Sequence, residues 1–252
     1  MPALLELDRV CVPGLGAPRL EAVSLRLNAG ERVALVGPSG AGKSTLIGVA
    51  NGLIRPQQGS VRWLGEPPAR RGRRRRRQQA RIGTLWQDLR LVEELTVQQN
   101  LNTGRLAHWP SWRSLLNLLL PLDTAACRQV LGQLDLQPEL LAQPVSALSG
   151  GQRQRVALAR LLRQEPLLLL ADEPLASLDP RLAAELLELL LRQGTAPRGL
   201  LLSLHRPDLL AGFDRVVGLR AGQLQFDLPV AAVDRPVLER LYAGSGPVGT
   251  ER

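Results

Sequence analysis

The sequence predicts an α/β fold built on a parallel sheet. Short apolar strands alternate with helical stretches at both ends of the chain. The run Leu167-Leu168-Leu169-Leu170-Ala171 is apolar on both faces, as a strand covered on both sides of a parallel sheet must be. The 252 residues are 44% hydrophobic and 22% charged, an ordinary globular composition with length enough to bury a core. Wholesale disorder, collagen and a small disulfide scaffold are excluded.

Taken in order, residues 4–10 and 20–27 alternate polar and apolar and read as strands around the Pro13-Gly14 turn. Residues 32–36 form a short apolar strand that runs into a glycine-rich turn and a helix ending near Gly52. Residues 60–64 and 82–86 are further strands with an arginine-rich stretch between them. From 91 to 162 the pattern is helical, broken at Pro110, Pro121, Pro138 and Pro144. This helical middle reads as an insertion between core strands. Asp179-Pro180 supplies an N-cap and a first-turn proline for a helix to about Arg192. Residues 200–204 and 215–219 are the last strands, and the end of the chain reads as a loose tail. No internal repeat is evident.

No stretch is long and apolar enough to span a bilayer, and the start of the chain lacks the apolar run of a signal peptide. Two cysteines, Cys11 and Cys127, make no disulfide framework and suit a reduced, cytoplasmic setting. The net charge is +9, but eight arginines lie between 70 and 81, and the rest of the chain carries only +1. Basic charge is confined to one segment instead of spread over a face, which argues weakly for nucleic acid. Three readings fit the Arg70 to Arg77 run: a solvated, self-repelling loop, contact with anionic lipid headgroups, or nucleic-acid binding, the last without the interleaved aromatics it would need.

Of 32 basic residues, a single one is lysine, Lys43. It lies in Gly37-Pro38-Ser39-Gly40-Ala41-Gly42-Lys43-Ser44-Thr45, a G-x-x-x-x-G-K-[ST] motif that follows a strand and opens a helix. Glycines let backbone N–H groups turn inward and cradle phosphate at a helix N-terminus. A compact ammonium fits such a nest where a guanidinium fork does not. Lys43 is expected to reach the β- and γ-phosphates and Ser44 to ligate Mg²⁺. Asp172 and Glu173, at the exit of a buried strand, make a costly carboxylate pair unless a cation is near. Asp172 is the expected Mg²⁺ partner and Glu173 the proton acceptor for an attacking water. Ser149 and Gln152 have capping-box spacing at a helix start, and Gly150-Gly151 adds a second anion-binding turn.

With these motifs in order, the chain resembles the ATP-binding cassette (ABC) ATPases over residues 4 to 242. The resemblance rests on the turn at 37–45, Gln87, Leu148-Ser149-Gly150-Gly151-Gln152, Asp172-Glu173, Ser177-Leu178-Asp179 and His205. It implies a P-loop NTPase core with an N-terminal antiparallel β subdomain and an inserted helical subdomain. The core would cover about 4–87 and 164–242, the helical subdomain 88–163, and a flexible tail 243–252. It implies a head-to-tail homodimer in which ATP on one copy is closed off by Ser149, Gly150, Gly151 and Gln152 of the other. Gln87 would sense Mg²⁺ and the attacking water, His205 would hold the γ-phosphate, and the Asp179 segment would link the two sites. The expected setting is the cytoplasmic face of the cell membrane, beside separate permease subunits and, indirectly, an external substrate-binding protein.

Two further features bear on the family. The aromatic that usually stacks on adenine would fall at Val12, so relaxed or weakened base binding is expected there. Gly104-Arg105 followed by Trp112-Arg113-Ser114-Leu115-Leu116 resembles the phosphonate-import branch, and alongside that resemblance Trp112 also reads as a core aromatic anchoring the insertion. Another cassette transporter, a non-transport cassette protein on nucleic acid and a P-loop kinase are the alternatives.

Overall fold

The computed structural model describes residues 3–176 and 178–243, so Ser177 and the tail from Gly244 lie outside the described residues. Strands β1 (Leu5–Val12), β2 (Leu20–Leu27) and β4 (Gln58–Trp63) form a three-stranded antiparallel sheet in the order β2-β1-β4. A six-stranded sheet runs β5-β6-β7-β3-β8-β9, from β3 (Arg32–Val36), β5 (Ile82–Leu85), β6 (Leu168–Asp172), β7 (Gly199–Leu204), β8 (Arg215–Arg220) and β9 (Gln223–Pro229). Its pairs are parallel except β8 with β9. The fold class is therefore the one the sequence predicts; β9 carries half-buried and exposed residues in alternation, the pattern of an edge strand, and was not anticipated.

The uninterrupted apolar strands are explained by two cores, one on each face of the large sheet. Leu168, Leu170, Val33, Leu35 and Leu201 face the antiparallel sheet and helix α1 (Lys43–Ala50). Leu169, Ala171, Ala34, Val36, Leu200 and Leu202 face the helices. Successive side chains of a strand point to opposite faces, so a strand covered on both sides must be apolar at every position.

Helix α2 (Gly72–Ala80) occupies the arginine-rich stretch, where a loop was one of the expectations. Arginine is a good helix former, and the surroundings supply anchors that outweigh self-repulsion. The Arg75 guanidinium stacks 4.6 Å from the Trp63 ring centroid and donates to Gly52 O at 2.9 Å. Gln78 accepts from Ala69 N at 2.7 Å.

Between β5 and β6 come α3 (Val97–Thr103), α4 (Ser111–Leu116), α5 (Thr124–Gly132) and α6 (Gly150–Arg163). Asp123 ties three of these pieces together, accepting from Arg113 on α4 at 2.7 Å and from the buried Arg163 on α6 at 2.6 Å. Trp112 is 65% exposed, which corrects its reading as a core aromatic: α4 has no buried residue and lies on the surface. The C-terminal elements are α7 (Pro180–Gln193), capped by Asp179 through the N–H groups of Arg181 and Leu182, and α8 (Arg235–Tyr242). Among the described residues no helix is long and apolar enough to cross a membrane.

Candidate active site

Three neighbouring strands deliver the central residues. Gly37 follows β3, Asp172 ends β6 with Glu173 just beyond it, and His205 follows β7, so all meet at the carboxyl edge of the sheet. That edge is where open α/β sheets bind ligands.

The turn after β3 is closely packed. A Cβ on Gly37 would fall 2.0 Å from Leu219 O, and one on Gly42 would fall 2.5 Å from Arg19 O, at a backbone with φ +105°. Only glycine fits either place without displacing backbone. Gly42 opens α1, and Lys43, its first residue, folds back so that Nζ donates to Gly37 O at 2.8 Å and Pro38 O at 3.1 Å. Nζ also lies 3.4 Å from Glu173 Oε1, with the lysine side chain 3% exposed. Pro38, Ser39, Gly40, Ala41, Ser44 and Thr45 complete the loop, and Gly40 through Thr45 line a depression of about 240 Å³ with Glu173 and Arg19.

Glu173 is the hub. Its φ is +48°, a backbone region that is strained for a residue with a side chain. Its N–H donates to Ser203 Oγ at 2.8 Å, and its carboxylate lies 2.8 Å from His205 Nε2 through Oε2. Ser203 Oγ in turn donates to Asp172 Oδ1 at 2.9 Å, which also accepts from Ser44 Oγ at 3.2 Å. One network thus joins Lys43, Ser44, Asp172, Glu173, Ser203 and His205. A buried ammonium beside a carboxylate is a costly arrangement to break: removing one partner of such a pair costs about 3–5 kcal/mol.

The structure sets Gln87 and the Ser149–Gln152 segment apart from this network. Gln87 is exposed beyond the end of β5 and, among the described residues, makes no hydrogen bond to Ser44, Asp172 or Glu173. Its loop is held by α6 and its own neighbours. Arg160 donates to Leu89 O at 2.7 Å and also to Arg90 O, while the Arg90 guanidinium covers Trp86 at 4.0 Å. Leu89 and Arg90 both have positive φ, so the turn is strained as well as clamped. Burial pushes the Arg160 pKa down, with the nearby Arg90 charge adding to it.

Ser149 is the N-cap of α6 in the predicted capping box: Gln152 N donates to Ser149 Oγ at 3.3 Å and Ser149 N to Gln152 Oε1 at 3.0 Å. Arg153 fixes the approach to it by donating to Ser146 O, Leu148 O and Glu93. Ser149 and Gly150 are exposed, and with Gly151, Gln152, Gln87 and Asp179 they line an open depression of about 860 Å³. It is a separate hollow from the one beside Lys43, with no lining residue in common.

Two residues of the site escaped the sequence reading. Ser203 is a lone hydroxyl in the otherwise apolar run Gly199–Leu204, which was its only signal. Arg19, an exposed residue just before β2, has no local motif at all. Val12, the expected replacement for the stacking aromatic, is 6% exposed, pairs with Leu20 and belongs to the core between the sheets. Its side chain is therefore spoken for by packing, and Arg19 joins Lys43 and Glu173 as a charged residue beside the glycine turn.

The residues fit a nucleoside triphosphate with a hard divalent cation. The glycine turn leaves room only for backbone, Lys43 supplies one compact charge, and Ser44 with Asp172 offers the hydroxyl and carboxylate oxygens that Mg²⁺ prefers.

Comparison with known proteins agrees with this chemistry. The model of the ABC transporter family matches residues 20–176. The chain is 49% identical over 244 residues to phosphonates import ATP-binding protein PhnC 1 of Pseudomonas aeruginosa, covering 95% of this chain and 91% of that one. It is 47% identical over 227 residues to phosphonates import ATP-binding protein PhnC of Pseudomonas putida, covering 89% and 84%. Among solved structures, the ADP conformation of an ATP-binding cassette of an ABC transporter superposes with a TM-score of 0.80 at 25% identity, over 97% of this chain and all of that one.

Proposed function

Since the chain belongs to the ABC transporter ATP-binding family, we propose that it is the ATP-hydrolysing subunit of an importer for phosphonates or related phosphorus oxyanions. The observation that carries the catalytic reading is Glu173. It is held in strained backbone between Lys43 and His205, with one carboxylate oxygen toward each. On this reading the backbone N–H groups of the 37–45 turn and Lys43 bind the phosphates and stabilise the charge that develops on them. Ser44 and Asp172 hold Mg²⁺, which supplies electrostatic neutralisation of the phosphate oxygens. Glu173 takes the proton of the water that attacks the terminal phosphorus, and His205 keeps Glu173 and that phosphate in register.

Completion of the site falls to a second copy. Ser149, Gly150, Gly151 and Gln152 are presented outward on a rigid, capped helix start, away from the chain's own Lys43, and two copies head to tail would bring each segment over the partner's nucleotide. Gln87 joins the site on that closure, and its clamped, strained loop is the element that reports the nucleotide state to a separate permease at the cytoplasmic face of the membrane. The helical stretch 88–163 is the arm that carries the Ser149–Gln152 segment and begins just after Gln87. A binding protein outside would deliver the cargo, which this subunit never touches.

The cargo rests on the named relatives, since no residue of an ATPase subunit contacts it. Growth on methylphosphonate as sole phosphorus source tests it in a bacterium deprived of its own phosphonate ATPase but retaining the matching permease and binding protein. The wild-type chain restores growth and Lys43→Ala does not. Restored ATPase activity in the membranes without phosphonate uptake would reassign the cargo.

A further inference from the structure

We infer that a second anion site, separate from the nucleotide site, lies in the cavity under helix α2 and takes a phosphoryl or phosphonyl group. The cavity measures about 1030 Å³, larger than the hollow beside Lys43, and shares no lining residue with it. Arg55, Arg70, Arg71 and Arg75 line it, and among the described residues no aspartate or glutamate does. Its floor is rigid: Trp63 is buried, donates from Nε1 to Ala50 O at 2.8 Å and carries Arg75 on its face at 4.6 Å.

Charge compensation by a carboxylate is missing here, whereas several arginines elsewhere in the molecule have it. Arg32, Arg113, Arg155, Arg163 and Arg215 each meet a carboxylate within 2.7 Å. Among the described residues, the one acid engaged by the arginine run is Glu66, which pairs with Arg74 at 3.2 Å and also accepts from Gln78. Among the described residues Arg75 makes one hydrogen bond, to a backbone carbonyl, out of five N–H donors. Burial without a carboxylate lowers its pKa, the direction expected of a cation lacking its counter-charge. The run also crowds positive charge at the start of α2, whose first turn holds no acid and whose N-cap Arg71 makes no side-chain cap. That end of a helix favours negative charge, so the sequence places arginine where local electrostatics opposes it. Such a conflict between local preference and structure is relieved by an anion in the cavity. Arginine forks match the geometry of phosphate and phosphonate oxygens, and a concave wall of them favours a dianion over a monovalent carboxylate.

Two sources could supply this group: a soluble phosphate or phosphonate, or the headgroup of an anionic phospholipid. The test uses the full chain with saturating ADP, so that the 37–45 turn is filled, and pyrophosphate as probe in low salt by titration calorimetry. One additional saturable site is expected. Arg55→Gln with Arg71→Gln, both exposed cavity residues, should weaken it roughly tenfold or more. Arg76→Gln with Arg77→Gln removes the same charge from the same helix outside the cavity, and should leave affinity within about threefold. Equal losses in the two double variants would reveal only a diffuse positive field and overturn the inference, as would no second site. Flotation with phosphatidylglycerol against phosphatidylcholine vesicles then separates the sources. Vesicle binding that pyrophosphate displaces and the cavity variant loses identifies the headgroup. Pyrophosphate binding without flotation identifies the soluble anion.

Discussion

The nest at 37–45 and the helix start at 149–152 use the same glycine chemistry to opposite ends. The side chains of the nest are paired within the chain: Lys43 is buried against two carbonyls and Glu173, and Ser44, Asp172, Glu173, Ser203 and His205 each have a partner in the same network. The helix start is equally rigid, through its capping box and the Arg153 contacts, yet it faces an open hollow. A rigid polar surface that completes nothing in its own chain makes sense as half of a site finished by another copy. Damage to the nest should therefore act within one chain, and damage to the helix start between chains.

Substitutions in the nest should act most strongly. Lys43→Ala should lower ATP turnover by about a thousandfold and weaken ATP binding to the isolated chain; filter binding and phosphate release check both. Glu173→Gln should cut turnover by about 10²–10⁴-fold while sparing ATP binding, and fluorescent-nucleotide titration separates the two. Gly151→Asp sharpens the contrast. Its place is open, with Leu182 methyls the nearest atoms at 3.5 Å, so the fold should survive. Hydrolysis should fall about a hundredfold while monomer ATP affinity stays unchanged. Loss of monomer affinity would break the division between the two regions.

Smaller effects concern the frame. Asp179→Ala removes the N-cap of α7 and should cost about 1 kcal/mol in urea unfolding. Arg32, hydrogen-bonded to Asp214 at 2.7 Å, holds that carboxyl below its usual pKa. A depressed folded-state pKa contributes stability that is present above the unfolded value of 3.8 and lost as pH falls through the folded one. Asp214→Asn should therefore flatten the acid limb of the stability curve below about pH 4, read by thermal melts, with little change at pH 7 beyond the lost ion pair.

The nest, the carboxylate pair and the capping box were legible in the sequence because each is a local device: spacing alone fixes a glycine turn, a strand exit or a helix start. Ser203, Arg19 and Val12 were not, because their roles come from neighbours distant in the chain. Ser203 meets Asp172 through strand register, and Val12 is claimed by the core between two sheets. The helix over the arginine run is not legible for the same reason: it depends on Trp63 and Gly52, supplied by other elements.

Closure between copies is what the two regions together require. With Glu173→Gln blocking turnover, light scattering after size-exclusion in Mg-ATP should give twice the monomer mass, and adding Gly151→Asp to the same chain should return it to the monomer mass. A chain that stays single with trapped ATP, or a dimer indifferent to Gly151→Asp, would contradict it.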